Sequence, residues 1–196
     1  MNRARPIAAL LAGLLLGGCP AGRGEPPILG QVPEFHLVAD DGRPFDSSSL
    51  AGRPWLASFL YTSCPGPCPR LVERLKSVRH DVAADRLSFV SFSVDPQADT
   101  PAVLAAYKAK HGIGAADSWT FLTGDPAVVM PLVEKGFLVG VDSGDASSSE
   151  GAVSHGTRVA LVDGQRRIRG FYATDRDEDL QKLKQDVAAL GPGVTP

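Results

Sequence analysis

The sequence predicts an α/β sandwich: a central mixed β-sheet flanked by helices. Three observations carry this reading. Short apolar runs of strand length alternate with segments of helical period from about residue 35 onward. Two helix starts pair a capping residue with proline, at Thr100-Pro101 and Asp125-Pro126. The chain then closes with two strand-like runs around Asp163-Gly164 and a final amphipathic segment.

Taken in order, residues 35–38 suit a first short strand, and Asp40-Asp41-Gly42-Arg43 a turn. Residues 55–61 form a mostly apolar run after Gly-Arg-Pro, as a buried central strand does. Leu71, Val72, Leu75, Val78 and Val82 then recur at helical spacing, with Arg70, Glu73, Lys76 and Arg79 on the other face. Residues 87–93 read as the next strand. The helix that starts at Pro101 runs to about His111, and 119–122 is a short strand. Pro131 should bend or shorten the helix begun at Pro126. Residues 137–141 are a strand candidate, and 158–162 with 168–172 a hairpin. Thr174 and Asp177 resemble a capping box for a last helix carrying Leu180, Leu183, Val187 and Leu190.

The N-terminus reads as an export signal. Arg3 and Arg5 precede a short apolar run that ends at Leu16-Gly17-Gly18-Cys19. Such a run is too short to span a bilayer, which takes about 20 residues. Its ending resembles the lipobox of bacterial lipoproteins, which implies removal of residues 1–18 and lipidation of Cys19. Two or more acyl chains anchor durably. The expected organisation is then a lipidated N-terminus and tether over 19–31, one domain over 32–190 and a flexible tail over 191–196. Loss of Arg3 and Arg5 moves the formal net charge from -2 to -4. No basic patch suggests nucleic acid.

Cleavage and lipidation leave Cys64 and Cys68 as the free thiols of the mature chain. They stand in Tyr61-Thr62-Ser63-Cys64-Pro65-Gly66-Pro67-Cys68-Pro69, where a strand enters and a helix leaves. Four residues apart at a helix N-terminus, two sulfurs lie near one another beside unpaired N–H groups and the positive end of the dipole, which favour thiolate. The prolines restrict the backbone that carries them. The pair suits disulfide exchange or soft-metal ligation. As a structural disulfide it would constrain little, because its loop is so short.

His155 is the histidine best placed to join them. It follows an acidic, Ser- and Gly-rich stretch, 142–152, expected to be a mobile loop, and it precedes the strand at 158. His36, His80 and His111 have ordinary strand and helix positions, and His111 suits a helix C-terminus.

The chain resembles the SCO/SenC family of copper-binding proteins in the thioredoxin-like superfamily. The resemblance rests on Phe59-Leu60-Tyr61-Thr62-Ser63-Cys64-Pro65-Gly66-Pro67-Cys68-Pro69, on Ser91-Phe92-Ser93-Val94-Asp95-Pro96 with Asp99-Thr100-Pro101, and on His155 leading into Val159-Ala160-Leu161-Val162-Asp163 and Arg167-Ile168-Arg169-Gly170-Phe171-Tyr172. It implies a thioredoxin-like fold, copper ligands at Cys64, Cys68 and His155, and a functional aspartate at Asp95, either a support for the ligands or a turn residue before Pro96. It also implies a role in supplying copper to, or reducing the cysteines of, the dinuclear copper site of cytochrome c oxidase. The implied partner is the oxidase's copper-bearing subunit or another periplasmic copper or thiol protein. Gly66 stands where the family commonly has Asp, and Gly156 where it has Ser. The second reading is a membrane-tethered thiol-disulfide oxidoreductase or peroxidase, with Cys64 attacking and Cys68 resolving. The expected location is the bacterial cell envelope, on the extracytoplasmic or periplasmic side.

Overall fold

The computed structural model describes residues 24–83, 86–138 and 157–191. Among the described residues, eight strands form one sheet in the order β1-β8-β7-β4-β5-β6-β2-β3. They are β1 (Gly30–Gln31), β2 (His36–Ala39), β3 (Pro44–Asp46), β4 (Trp55–Leu60), β5 (Ser88–Ser93), β6 (Trp119–Thr123), β7 (Arg158–Val162) and β8 (Arg167–Ala173). The central strands β4, β5 and β6 run parallel, and the remaining pairings are antiparallel. The helices are α1 (Pro67–Asp81), α2 (Pro101–Lys110), α3 (Pro126–Pro131) and α4 (Asp177–Ala189). The expected thioredoxin-like α/β architecture is present.

The pleat of β4 divides the interior. Leu56 and Leu60 face a layer made by Leu71, Val72 and Leu75 of α1, Leu104 and Tyr107 of α2, and Leu180, Leu183 and Val187 of α4. Trp55, Ala57 and Phe59 face the opposite layer, with Val32, Phe35, Val129, Val133 and Phe137. Phe59, Phe92 and Phe137 meet with ring centroids 5.0–5.8 Å apart. Here residues 32–35 cross the sheet as a strap, between β1 at one edge and β2 near the other.

Thr100 and Asp125 cap α2 and α3 through their side chains, accepting from the amides of Val103 and Ala127. Pro131 shortens α3 as expected, and the chain continues in a wider π turn, Leu132–Gly136. Two local expectations are corrected. The strand expected at 137–141 does not start: Phe137 closes the π turn and Leu138 takes φ 57°, a left-handed conformation that breaks extended backbone. Residues 139–141 lie outside the described residues. Thr174 does not cap α4. Its hydroxyl bonds the Thr157 carbonyl, 2.9 Å away, and Arg176 occupies the cap position without a side-chain bond. Three acidic residues, Asp177, Glu178 and Asp179, complement the helix dipole instead.

The second half of the expected tether is held to the fold. Arg169 donates to the Pro26 carbonyl, Leu29 N donates to Ile168 O at 2.8 Å, and Gly30–Gln31 pair with β8. No helix among the described residues is long and apolar enough to cross a membrane.

Candidate metal centre

The C-terminal end of β4 delivers the chain into the cysteine loop. β4 is buried along its whole length, so its last residue, Leu60, is fixed. Gly66 is the cap residue of α1, without a side-chain cap, and Pro67 fills the first helical position. Cys68 therefore lies in the first turn of α1, where its amide has no helical acceptor. That amide donates to Cys64 Sγ at 3.3 Å. Both thiols are free and buried, with Cys64 7% and Cys68 0% exposed.

The two sulfurs are electrostatically unequal. Burial works against ionisation of Cys64, but hydrogen bonds from the Cys68 side chain, the Cys68 and Gly66 amides and the Tyr61 hydroxyl outweigh it, so its pKa falls. Cys68 is pushed up to about 12, first by burial, then by the hydrogen bond it gives to Cys64, with the charges of Cys64 and Asp99 adding to the rise. The helix terminus thus activates the outer sulfur and leaves the inner one protonated, rather than favouring thiolate at both.

Under the loop lies Asp99, 1% exposed, a site residue that sequence reasoning misses. Its carboxylate accepts from Thr62 N at 3.2 Å, from Thr62 Oγ1 at 2.5 Å and from Ser93 Oγ at 2.7 Å. It ties the end of β5 to the strand exit that carries Cys64. The available signal was an acidic residue directly before the Thr100 cap. Asp95, the expected functional aspartate, is half-buried, and its backbone makes the turn: its N donates to Ser93 Oγ and its carbonyl accepts from the Ala98 and Asp99 amides. The Tyr61 pKa is raised chiefly by the charge of Cys64 and by burial, with smaller contributions from Cys68 and Asp95. The Tyr107 hydroxyl on α2 is buried with no hydrogen-bond partner among the described residues.

His155, the 142–152 stretch and Cys19 lie outside the described residues. Thr157, the first residue after that gap, leads into β7, which runs antiparallel to β4 with Val159 opposite Ser58. The chain therefore enters β7 at the end of the sheet from which β4 leaves for Cys64. Among the described residues no group of three or more His, Cys, Asp and Glu side chains could hold a metal ion. The remaining histidines have local carboxylate partners: His36 with Asp46, His80 with Asp81 and His111 with Glu73. A groove of about 570 Å³ beside the loop is lined by Pro67, Pro69, Arg70, Arg74, Thr157 and Asp175, among others.

The SCO1/SenC family model matches residues 28–190, most of the chain. The chain belongs to the SCO1/SenC family. This SCO1/SenC protein is 32% identical over 123 residues to the SCO1 protein homolog of Bacillus subtilis, covering 60% of this chain and 63% of that relative's length. A SCO1/SenC family lipoprotein from Bacillus anthracis has TM-score 0.73 and 26% identity over 85% of this chain and 99% of its own. BsSco, described by a disulfide switch and as a member of the Sco family of cytochrome c oxidase assembly proteins, has TM-score 0.70 and 25% identity, covering 85% and 96% of the two chains. Bradyrhizobium japonicum ScoI, solved with copper bound, has TM-score 0.58 and 25% identity, covering 81% and 98%.

Proposed function

We propose that this protein carries copper as cargo on Cys64, Cys68 and His155, anchored to the cell envelope through lipidated Cys19, and serves assembly of the dinuclear copper site of cytochrome c oxidase. The observation that carries the reading is the reduced, buried Cys64–Cys68 pair at the β4–α1 junction of a SCO1/SenC fold. Two sulfurs and an imidazole are a soft donor set of low coordination number, suited to Cu(I), and the histidine also serves Cu(II). Three protein ligands leave one flank for a recipient's own ligands. Likeness to a copper-bound ScoI and to BsSco supports the cargo and the destination. The leader ending in Gly18-Cys19 and likeness to a family lipoprotein support the anchor and an extracytoplasmic location.

The unequal sulfurs favour a second activity at the same pair. Cys64, the more readily ionised, attacks a recipient disulfide. Cys68 then attacks the mixed disulfide, and the recipient leaves as a dithiol that takes up two protons. Two electrons pass to the recipient, and a Cys64–Cys68 disulfide forms.

Cu(I) titration of the reduced mature protein against a competing chelator tests the cargo role. One tightly held copper per chain is expected, lost in C64S and in C68S and weakened in H155A. Unchanged affinity in both cysteine variants would overturn it. Transfer to an isolated copper-bearing oxidase domain tests the destination.

A further inference from the structure

The described N-terminal residues are clamped at one end of the sheet. Arg169, 4% exposed, donates to the Pro26 carbonyl from Nε at 2.9 Å, and to Glu25 Oε2 and Asp163 Oδ2 at 2.9 Å each. Gln31 Nε2 donates to the Gln165 carbonyl at 3.0 Å. These partners surround the β7–β8 turn, where Val162 lies opposite Trp55, the first residue of β4. Cys64 lies beyond the last residue of β4. The clamp and the cysteines therefore sit at opposite poles, separated by the six residues of β4 and the loop after it. At about 3.3 Å per residue, β4 alone accounts for roughly 17 Å.

The clamp pole also carries exposed apolar side chains, Ile28 at 58% and Leu29 at 48%. The Leu29 amide bonds the Ile168 carbonyl of β8, so this pair is held beside the same turn.

We propose that the anchored domain works with its cysteine pole turned away from the bilayer. This rests on the lipid-anchor reading above. From Cys19 to Glu25 there are six residue steps, which reach at most ~20 Å when fully extended. A folded domain of this length is about 40 Å across. For the cysteine pole to touch the membrane, the clamp would have to stand above it by the roughly 17 Å of β4 plus the cysteine loop beyond it, which uses up the whole reach of the tether. Lying on its side, the domain still holds the cysteines about 20 Å above the lipid. Ile28 and Leu29 at the clamp pole favour the upright arrangement, because apolar side chains beside an anchor gain from contact with the interface.

The test uses lipidated full-length protein in phosphatidylcholine–phosphatidylglycerol vesicles containing a nitroxide-headgroup quencher. Either Arg70 or Gln165 is replaced by Cys for a fluorophore, in a Cys64→Ser, Cys68→Ser background. Both residues are exposed, Arg70 beside the cysteine loop and Gln165 beside the clamp. The Gln165 label should be quenched at least about twofold more than the Arg70 label, given a reach of ~20 Å. A flexible 20-residue Gly/Ser insertion between Gly24 and Glu25, about 25 Å in mean span, should narrow that difference. Equal quenching with the natural tether would overturn the orientation. Protein that fails to float with the vesicles overturns the anchor reading instead, so the two failures are distinct.

Discussion

Thr62 and Asp99 are joined twice over: the Asp99 carboxylate accepts both the Thr62 amide and the Thr62 hydroxyl, the latter at 2.5 Å. Thr62 stands two residues before Cys64 and Asp99 one before the cap of α2. The bond locks the cysteine loop to the neighbouring strand–helix connection. A carboxylate suits the position because each donor facing it, from Thr62 and from Ser93, needs an acceptor.

Asp99→Ala should therefore strand the Thr62 amide and hydroxyl and the Ser93 hydroxyl. A buried orphan costs about 1–3 kcal/mol; Ser93 is fully buried and Thr62 half-buried, so water and relaxation of the loop recover part of the Thr62 share. A loss of about 3 kcal/mol in urea unfolding is expected, with the slope unchanged. The loop should also hold Cu(I) more weakly. Stability and copper affinity both equal to wild type would show that the bond does not position the loop.

The two cysteines should separate in alkylation of the reduced, metal-free protein. Cys64 should react first and below the pH of an ordinary thiol, while Cys68, pushed up to about 12, stays protonated and slow. Cys64, lowered in the fold, contributes stability present above its unfolded pKa and lost as pH falls through its folded pKa. Cys68, raised, contributes stability that is full below its unfolded pKa and is lost as pH rises toward 12. Cys68→Ala should flatten the alkaline decline. Peptide mapping that finds Cys68 modified first would refute the assignment.

The fold was legible where one period dominated. The buried runs of β4 and β5, the apolar face of α1 and the Thr100-Pro101 and Asp125-Pro126 starts all appear where expected. The strand expected at Phe137 failed because apolar content alone does not separate an extended run from a π turn packed on the sheet. The cap at Thr174 failed because Thr157, far away in sequence, takes its hydroxyl. At the site, Cys64 and Cys68 could be read from spacing. Asp99 could not, since an aspartate before a helix start is usually an exposed turn residue and only tertiary packing buries it. Asp95 beside Pro96 gave the stronger local signal, and its backbone forms the turn.

Gly66 offers a second handle on the outer sulfur. Among the described residues a Cβ there would meet nothing within 4 Å, which leaves room for a side chain. Gly66→Asp places a carboxylate at the cap of α1, between the cysteines, where negative charge disfavours the Cys64 thiolate. Alkylation of Cys64 should slow and its pH profile shift upward. The cap itself should change stability by only a few tenths of a kcal/mol, since glycine is already tolerated there. An unchanged or lower pH midpoint for alkylation would contradict this electrostatic account.

The Arg169 guanidinium is buried against Asp163 and carries the Pro26 carbonyl and Glu25 on its other side. Asp163 is itself buried. Burial would raise its pKa, yet the amides of Arg167 and Gln165 and the guanidinium groups of Arg167 and Arg169 hold it below the usual carboxylate range. Such a carboxylate contributes stability above its unfolded pKa and loses it as pH falls through the folded one. Arg169→Met fills similar volume but withdraws one cation, leaving Asp163 to Arg167 and the two amides. Breaking a buried pair this way costs about 3 kcal/mol, less what Arg167 retains. The urea midpoint at neutral pH should fall, and the gap from wild type should narrow as Asp163 protonates in acid. Amide exchange should rise over residues 25–31, which lose their clamp, and stay unchanged over 58–68 in the cysteine loop. A variant with wild-type stability and wild-type exchange over 25–31 would mean that β1 pairing alone holds the N-terminal segment to the sheet.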